Sequence, residues 1–324
     1  MGVNEPYHPQ PGADYPRTFQ EFDAWFANES SCREYLIRVR WPEGFQCPRC
    51  GAKGEPWITA RGYLHCRHCG GEISVTAGTL FEGTRKPLRI WFFTMWFVTS
   101  QKHGASALGL KRVLDLGSYQ TAWTWLHKMR RAMVLPGRER LAGAVEVDET
   151  LIGGPEEDVH GRETYDKAIV VIAAERRGRA IGRIRLRHIE DASGAQLIPF
   201  IEDFITKGSL IITDGWLGYT GLESLGYRHE VKNIKRSGEP AHKLLPRVHR
   251  VASLLKRWLL GTLQGGVQAH HLDYYLDEFT FRFNRRSSRS RGLLFYRLMQ
   301  QAVLAPPPSY RKLVGGTDGA DHKM

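Results

Sequence analysis

The chain has 324 residues, 42% of them apolar, which is enough to bury two or three cores. Its 46 Lys and Arg outnumber 34 Asp and Glu, so the formal charge is +12 and the pI about 9.6, which points to a polyanionic partner, nucleic acid first. No uncharged apolar run reaches the roughly 18 residues of a membrane span, and the polar, Pro-rich N-terminus lacks a signal-peptide core, so a cytoplasmic protein is expected.

Residues 1–17 read as a disordered tail, with four prolines in the first 16 positions. Phe19, Phe22, Trp25 and Phe26 recur at helical spacing, and a second helical run passes through Tyr35 and Leu36. Cys32 falls within this stretch and reads as a small buried residue.

Two knuckles of the form Cys-x-x-Cys-Gly follow, Cys47/Cys50 and Cys66/Cys69, separated by 15 residues. Trp57 to Leu64 can fold as a hairpin about Arg61-Gly62. Two knuckles on two hairpins bring four thiolates into a tetrahedron, the shell of a structural Zn2+. Arg49, Lys53, Arg61, Arg67 and His68 supply a basic surface beside it, and His65 and His68 are weaker competing ligands. Residues 72–81 continue as a strand, so that residues 18–82 form a zinc ribbon with preceding helices.

Lys86-Pro87 introduces a helix from Leu88 to Thr99 that is apolar almost all round and therefore buried. Ser106 and Ser118 then cap two shorter helices about a Leu114–Gly117 turn. The second carries Arg130 and Arg131. The pair reads as a helix-turn-helix or as a plain helical hairpin, and the basic charge and adjacent ribbon favour a DNA-binding role for residues 83–139.

Residues 140–300 change character. Val145 and Val147 alternate with Glu146 and Asp148, a strand with Asp148 near its carboxyl end and Glu149 on the opposite face. An acidic, Gly-rich loop, 153–158, comes next. Residues 167–174 form an apolar strand, residues 180–189 its antiparallel partner after an Arg-Arg-Gly-Arg turn, and Ser193 caps a helix to about Phe204. Residues 209–212 are a fourth strand ending at Asp214-Gly215. The order β-β-β-α-β is the ribonuclease-H arrangement, in which strands one and four are neighbours and Asp148 and Asp214 face each other. Leu244 to Leu260 then reads as a helix with a stripe of Val248, Val251, Ala252, Leu255 and Leu259, packed on the sheet. His249 and Lys256, seven residues apart, share one of its faces. Further on, Tyr274 to Glu278 and Phe279 lie on a helix, and Phe281 and Phe283 alternate with Arg282, Arg285 and Arg286, aromatics and cations suited to DNA. Residues 301–324 read as a second disordered tail.

The blocks YLIRVRWPEGFQCPRCG, CRHCG, VDETLIGG, ITDGWLGY, LLKRWLLGT and YLDEFTFRFNRR, in this order over about residues 18–300, resemble the DDE-type insertion-sequence transposases of the branch with an N-terminal zinc ribbon. The fold class implied is multidomain α+β: zinc ribbon, helical region, then a ribonuclease-H-like α/β catalytic domain. The resemblance implies an enzyme that uses Mg2+ or Mn2+ to cleave DNA at the element's terminal inverted repeats and join it to target DNA, as a homo-oligomer on double-stranded DNA. Carried over by position, Asp148 and Asp214 are the metal ligands, Lys256 contacts DNA beside them with Arg257 next to it, and His249 stands where the pattern has Glu. Glu146 and Glu278 are the alternative third acids. The competing readings are an inactive zinc-ribbon DNA-binding regulator derived from a transposase, and a ribonuclease-H-like nuclease.

Overall fold

The computed structural model describes residues 8–134, 137–154, 167–263, 267–307 and Leu313, with only the backbone of Ile234 and Lys235. Among these, the residues up to 134 and those from 287 pack as one compact unit, and residues 137–286 as another.

The first unit opens with α1 (Phe19–Trp25) and α2 (Glu29–Arg40), capped by the side chains of Thr18 and Asn28. A three-stranded ribbon follows, β1 (Trp57–Ile58), β2 (Leu64–His65) and β3 (Glu72–Ile73). The β1–β2 turn is closed by Gly62, whose φ of +79° is the left-handed conformation glycine allows. β3 is only two residues long, shorter than the strand expected over 72–81, because the chain turns at Ser74 and Thr76. Then come α3 (Leu88–Ser100), α4 (Ala107–Val113) and α5 (Tyr119–Ala132), the last two capped by Ser106 and Ser118 as the sequence predicts.

Aromatic packing holds this unit together. Phe26 meets Phe22, Tyr35 and Phe92 edge-on at 4.9–5.0 Å, and Trp91 stacks on Trp125 at 3.8 Å. Phe295 enters the same cluster, against Phe22 and Phe26, from a helix at the far end of the chain. Two boundaries therefore differ from expectation. The sheet unit ends at Arg286, not at 300, because that late helix, residues 291–302, packs on α3. The N-terminal tail is shorter than 17 residues: Tyr15 is buried, and a Cβ on Gly292 would overlap the carbonyl of Pro16. Residues 308–312 and 314–324 of the expected C-terminal tail lie outside the described residues.

The second unit is built on β4 (Ala144–Ile152), β5 (Ala168–Arg177), β6 (Ala180–Ile189), α6 (Gly194–Phe204), β7 (Leu210–Thr213) and β8 (Arg228–Val231). The sheet order β6-β5-β4-β7-β8 has an antiparallel half and a parallel half; the first and fourth strands are neighbours as expected for a ribonuclease-H arrangement, and β8 is an edge strand beyond the four expected. Two short helices, α7 (Ile234–Ser237) and α8 (Ala241–Leu244), lead into α9 (Pro246–Leu263). α10 (Leu272–Asn284) follows, and α11 (Arg291–Ala302) is the helix that returns to the first unit.

Alternation along β4 sorts its side chains between two cores. Val145 and Val147 pack with α6, Phe200, Ile201 and Tyr219 on one face. The other face, with Val170 and Ile172 of β5, is covered by α9 and α10 through Val248, Val251, Leu255 and Phe279. Truncating the fully buried Leu255 to Ala would cost about 2–5 kcal/mol, a measure of how firmly α9 is held on the sheet.

Candidate metal and nucleic-acid sites

The four ribbon cysteines converge. Cys47 Sγ lies 3.8 Å from Cys69 Sγ and Cys50 Sγ 3.8 Å from Cys66 Sγ, and all four sulfurs fall within 4.8 Å of one another. A tetrahedron with Zn–S bonds of about 2.3 Å has edges near 3.8 Å, so the cluster fits structural zinc. Gly51 and Gly70 follow the second cysteine of each knuckle with φ of +75° and +68°, and their N–H groups close onto the carbonyls of Cys47 and Cys66. His65 and His68 stand outside the four-sulfur group; the His65 ring packs on Trp57. Cys32 is fully buried and its thiol pushed up to about 12 by burial, a packing residue.

In the second unit, β7 pairs with β4 through Ala144↔Leu210, Val145↔Ile211 and Glu146↔Ile212. Continued by two residues, that register sets Asp148 beside Asp214. Asp148 is mid-strand rather than at the end of β4, because pairing with β5 continues to Ile152. It stands, however, where β4 has outrun β7, and Asp214 is the first residue past β7. Each carboxylate is oriented by a backbone N–H: Glu149 donates to Asp148 Oδ1 at 3.0 Å, and Trp216 to Asp214 Oδ1 at 2.9 Å.

Asp148 projects toward α9, and His249 meets it, Nε2 to Oδ2 3.4 Å apart. That nitrogen is enclosed and makes no hydrogen bond. Burial is the first cause lowering the His249 pKa, His242 adds to it, and Glu146 and Asp214 oppose it. This lowering favours the neutral imidazole, the form that ligates metals. An enclosed ring nitrogen without a hydrogen-bond partner, facing a carboxylate, fits a bound cation. Lys256 is on the same helix, and its pKa is lowered by burial and by Lys167.

The two alternative acids have other partners. Glu146 accepts the backbone N–H groups of Arg247 (2.7 Å) and Val248 (3.2 Å) and pairs with the Arg247 guanidinium at 2.8 Å. Glu278 is buried against Arg282 on α10, which packs on β6, two strands from β4. Glu149 points to the opposite face, where it accepts the Tyr219 hydroxyl at 2.8 Å. Tyr219 is fully buried, and burial and then Glu149 hold its hydroxyl well above its usual pKa. Neither Tyr219 nor the Glu146–Arg247 pair is singled out by sequence spacing, although Tyr219 closes the ITDGWLGY block.

The arginines proposed for DNA divide. Arg257 is exposed and Arg131 half-exposed. Arg130 is buried, because α5 turns it onto the same face as Ala122 and Leu126. Arg282 is committed to Glu278. Arg285 stacks over Phe281 at 4.1 Å and Arg286 over Phe283 at 4.0 Å, while Arg286 also donates to the carbonyls of Ile181 and Gly182. Arg285 is half-buried and Arg286 exposed, so both lie over the chain's own aromatics while keeping part of their surface open to solvent. The acidic loop at 155–158 lies outside the described residues. Among the described residues, no helix is long and apolar enough to cross a membrane.

Comparison with known proteins agrees with this architecture. Residues 27–72 match the transposase zinc-ribbon domain, and residues 140–284 the ISXO2-like transposase domain. A protein of Halobacterium salinarum described as an uncharacterized protein in transposable element ISH50 is 28% identical over 281 residues, 79% of this chain and 91% of that one. No solved structure matches. Both domain types imply DNA binding. Its ribbon and its sheet are thus each matched by a transposase model: the chain carries a transposase zinc-ribbon domain followed by an ISXO2-like transposase domain, and it is similar to an insertion-sequence protein over most of its length.

Proposed function

We propose that the chain cleaves DNA at the terminal inverted repeats of its insertion sequence and transfers the freed 3′ ends to target DNA, using Asp148, Asp214 and His249 around Mg2+ or Mn2+. The observation that carries this reading is the 3.4 Å approach of His249 Nε2 to Asp148 Oδ2, at the strand position whose neighbour in register is Asp214. Asp148, Asp214 and His249 would hold a divalent cation there, which would supply charge neutralisation at the phosphodiester. Asp148 and Asp214 supply the hard oxygen ligands, each oriented by a backbone N–H. His249 supplies an uncharged ligand on a helix anchored to the same strand. Lys256, two turns further on, holds a phosphate of the DNA. In cleavage, water forms a bond to phosphorus and the 3′ oxygen leaves with a proton. In joining, that 3′ hydroxyl gives up its proton and forms a new bond to a target phosphorus, and the bond to a target 3′ oxygen breaks, that oxygen leaving with a proton. Pairing two element ends requires at least two copies of the chain, so a homo-oligomer assembles on the DNA, in the cytoplasm where bacterial DNA lies.

A second reading has one observation in its favour: a neutral imidazole replaces the expected acid, as in a chain that binds DNA without cutting it. The experiment that separates them is a cleavage and strand-transfer assay with Mg2+ and Mn2+, using Asp148→Asn and His249→Ala. Loss of cleavage in both variants with DNA binding intact supports the enzyme. Full cleavage by His249→Ala would remove His249 from the site, and no cleavage by the unaltered chain would leave the regulator.

A further inference from the structure

In the first unit a cavity of about 430 Å³ opens between α2, the β1–β2 turn and the segment entering α3. Arg33 lines it from α2, Arg61 and Tyr63 from the turn, and Arg85 and Lys86 from the segment before α3. Among the described residues, no ion pair joins any of these four cations to a carboxylate. The carboxylate in the wall is Glu29. Its Oε1 accepts the Leu88 N–H at 3.0 Å, capping α3 where Pro87 has no side-chain cap to offer. Its Oε2 is enclosed without a donor.

The walls are held in place. Arg40 donates to the carbonyls of Ser74 and Val75, and Thr84 Oγ1 receives both the Lys86 N–H and the Trp91 indole N–H. The Arg33 guanidinium lies so close to Gly62 that a Cβ there would overlap it. Four cations gathered in one concavity repel one another, and a single carboxylate does not balance them. An anion filling the cavity does, and the planar forks of three arginines match phosphate oxygens.

We propose that this cavity seats a backbone phosphate of DNA and so fixes the register of the ribbon unit on the duplex. The proposal rests on the reading that the chain acts on DNA, and it assigns a contact away from the Asp148 site.

The test measures Kd of the zinc-loaded full chain for a short DNA duplex over a series of KCl concentrations. Arg61→Ala and Arg85→Ala, both exposed and with no packing role, are each expected to flatten the slope of log K against log salt by about 0.9, the value for one lost phosphate contact. The weakening is expected to be uniform across duplex sequences. Glu29→Gln keeps the acceptor for the Leu88 N–H but removes the opposing charge, and is expected to tighten binding severalfold. Unchanged slopes in both arginine variants would overturn the proposal, as would a loss confined to one duplex sequence. If those variants also cleave DNA normally, only the cavity is dismissed; a chain that binds no duplex at any salt dismisses the transposase reading with it.

Discussion

Glu146 on β4 grips Arg247 on α9 two residues before Asp148 meets His249. The carboxylate takes two backbone N–H groups of the first helical turn and the Arg247 guanidinium, with the Glu146 side chain 3% and the Arg247 side chain 12% exposed. The negative charge also sits at the positive end of the helix. This fixes how far along the strand the helix starts, and hence which helical residue faces Asp148. Glu146→Ala leaves a buried guanidinium and two N–H groups without their acceptor, and is expected to destabilise the sheet unit by about 3–5 kcal/mol. Arg247→Ala leaves the two backbone bonds in place and should cost less. Denaturant midpoints and hydrogen exchange of the α9 amides measure both, and equal losses from the two variants would count against the N-terminal grip.

Tyr219 closes the other face. Pairing of β7 with β4 stops at Glu146↔Ile212, so the backbone beyond Thr213 needs another hold. The Tyr219 hydroxyl bonded to Glu149 supplies one, joining the chain just after Asp214 to the residue just after Asp148. Tyr219→Phe keeps the ring in its core and removes the donor, at a cost of roughly 1–3 kcal/mol. Cleavage is expected to slow while duplex affinity stays the same. A fall in affinity with cleavage unaffected would show that the pair serves DNA contact and not the geometry of the carboxylates.

The sheet was legible because its strands carry the period-two and continuous apolar patterns that burial requires, and α4 and α5 were legible because Ser106 and Ser118 are oxygen-bearing caps before apolar runs. β8 was not, since Arg228 to Val231 is short, polar and on the sheet edge. Asp148 and Asp214 could be paired from topology alone, whereas the grip of Glu146 on α9 joins residues about a hundred positions apart and leaves no local trace. Arg130 was misjudged for a different reason. Basic residues at 130 and 131 look alike in sequence, yet Ala122, Leu126 and Arg130 are four apart and lie on one buried face, while Arg131 is one step round the helix. The arginines after Phe281 show the same limit: an aromatic-cation alternation describes stacking without saying whose ring is stacked on.

That distinction can be measured. Arg257 and Arg286 are both exposed, but Arg286 also covers Phe283 and donates to β6 carbonyls. Arg257→Ala is expected to reduce the salt slope of DNA binding by about 0.9 with the denaturant midpoint unchanged. Arg286→Ala is expected to do the reverse, lowering stability by about 1–3 kcal/mol through the lost carbonyl bonds while leaving the slope alone. If Arg286→Ala changed the slope as Arg257→Ala does, the internal role assigned to it would fail.

Zinc should matter to the ribbon and not to the sheet. The ribbon's apolar cluster is small: Phe45, Cys47, Leu64, Cys66 and Ile73 are its buried members, and two of these are ligand positions. So little apolar surface cannot offset the ordering of the knuckles, and metal–thiolate bonds must contribute the rest. Without metal the four sulfurs would also sit in one cluster with their charges or protons opposed. Removing zinc with a strong chelator, or replacing Cys66 by Ser, is therefore expected to abolish amide protection over about residues 45–73 and to weaken duplex binding. The β4–β8 sheet, which shares no ligand with the ribbon, should keep its protection. Hydrogen exchange on the intact chain, with and without chelator, reads both regions in one experiment. Protection persisting across the knuckles in the metal-free chain would mean that packing, not zinc, holds the ribbon.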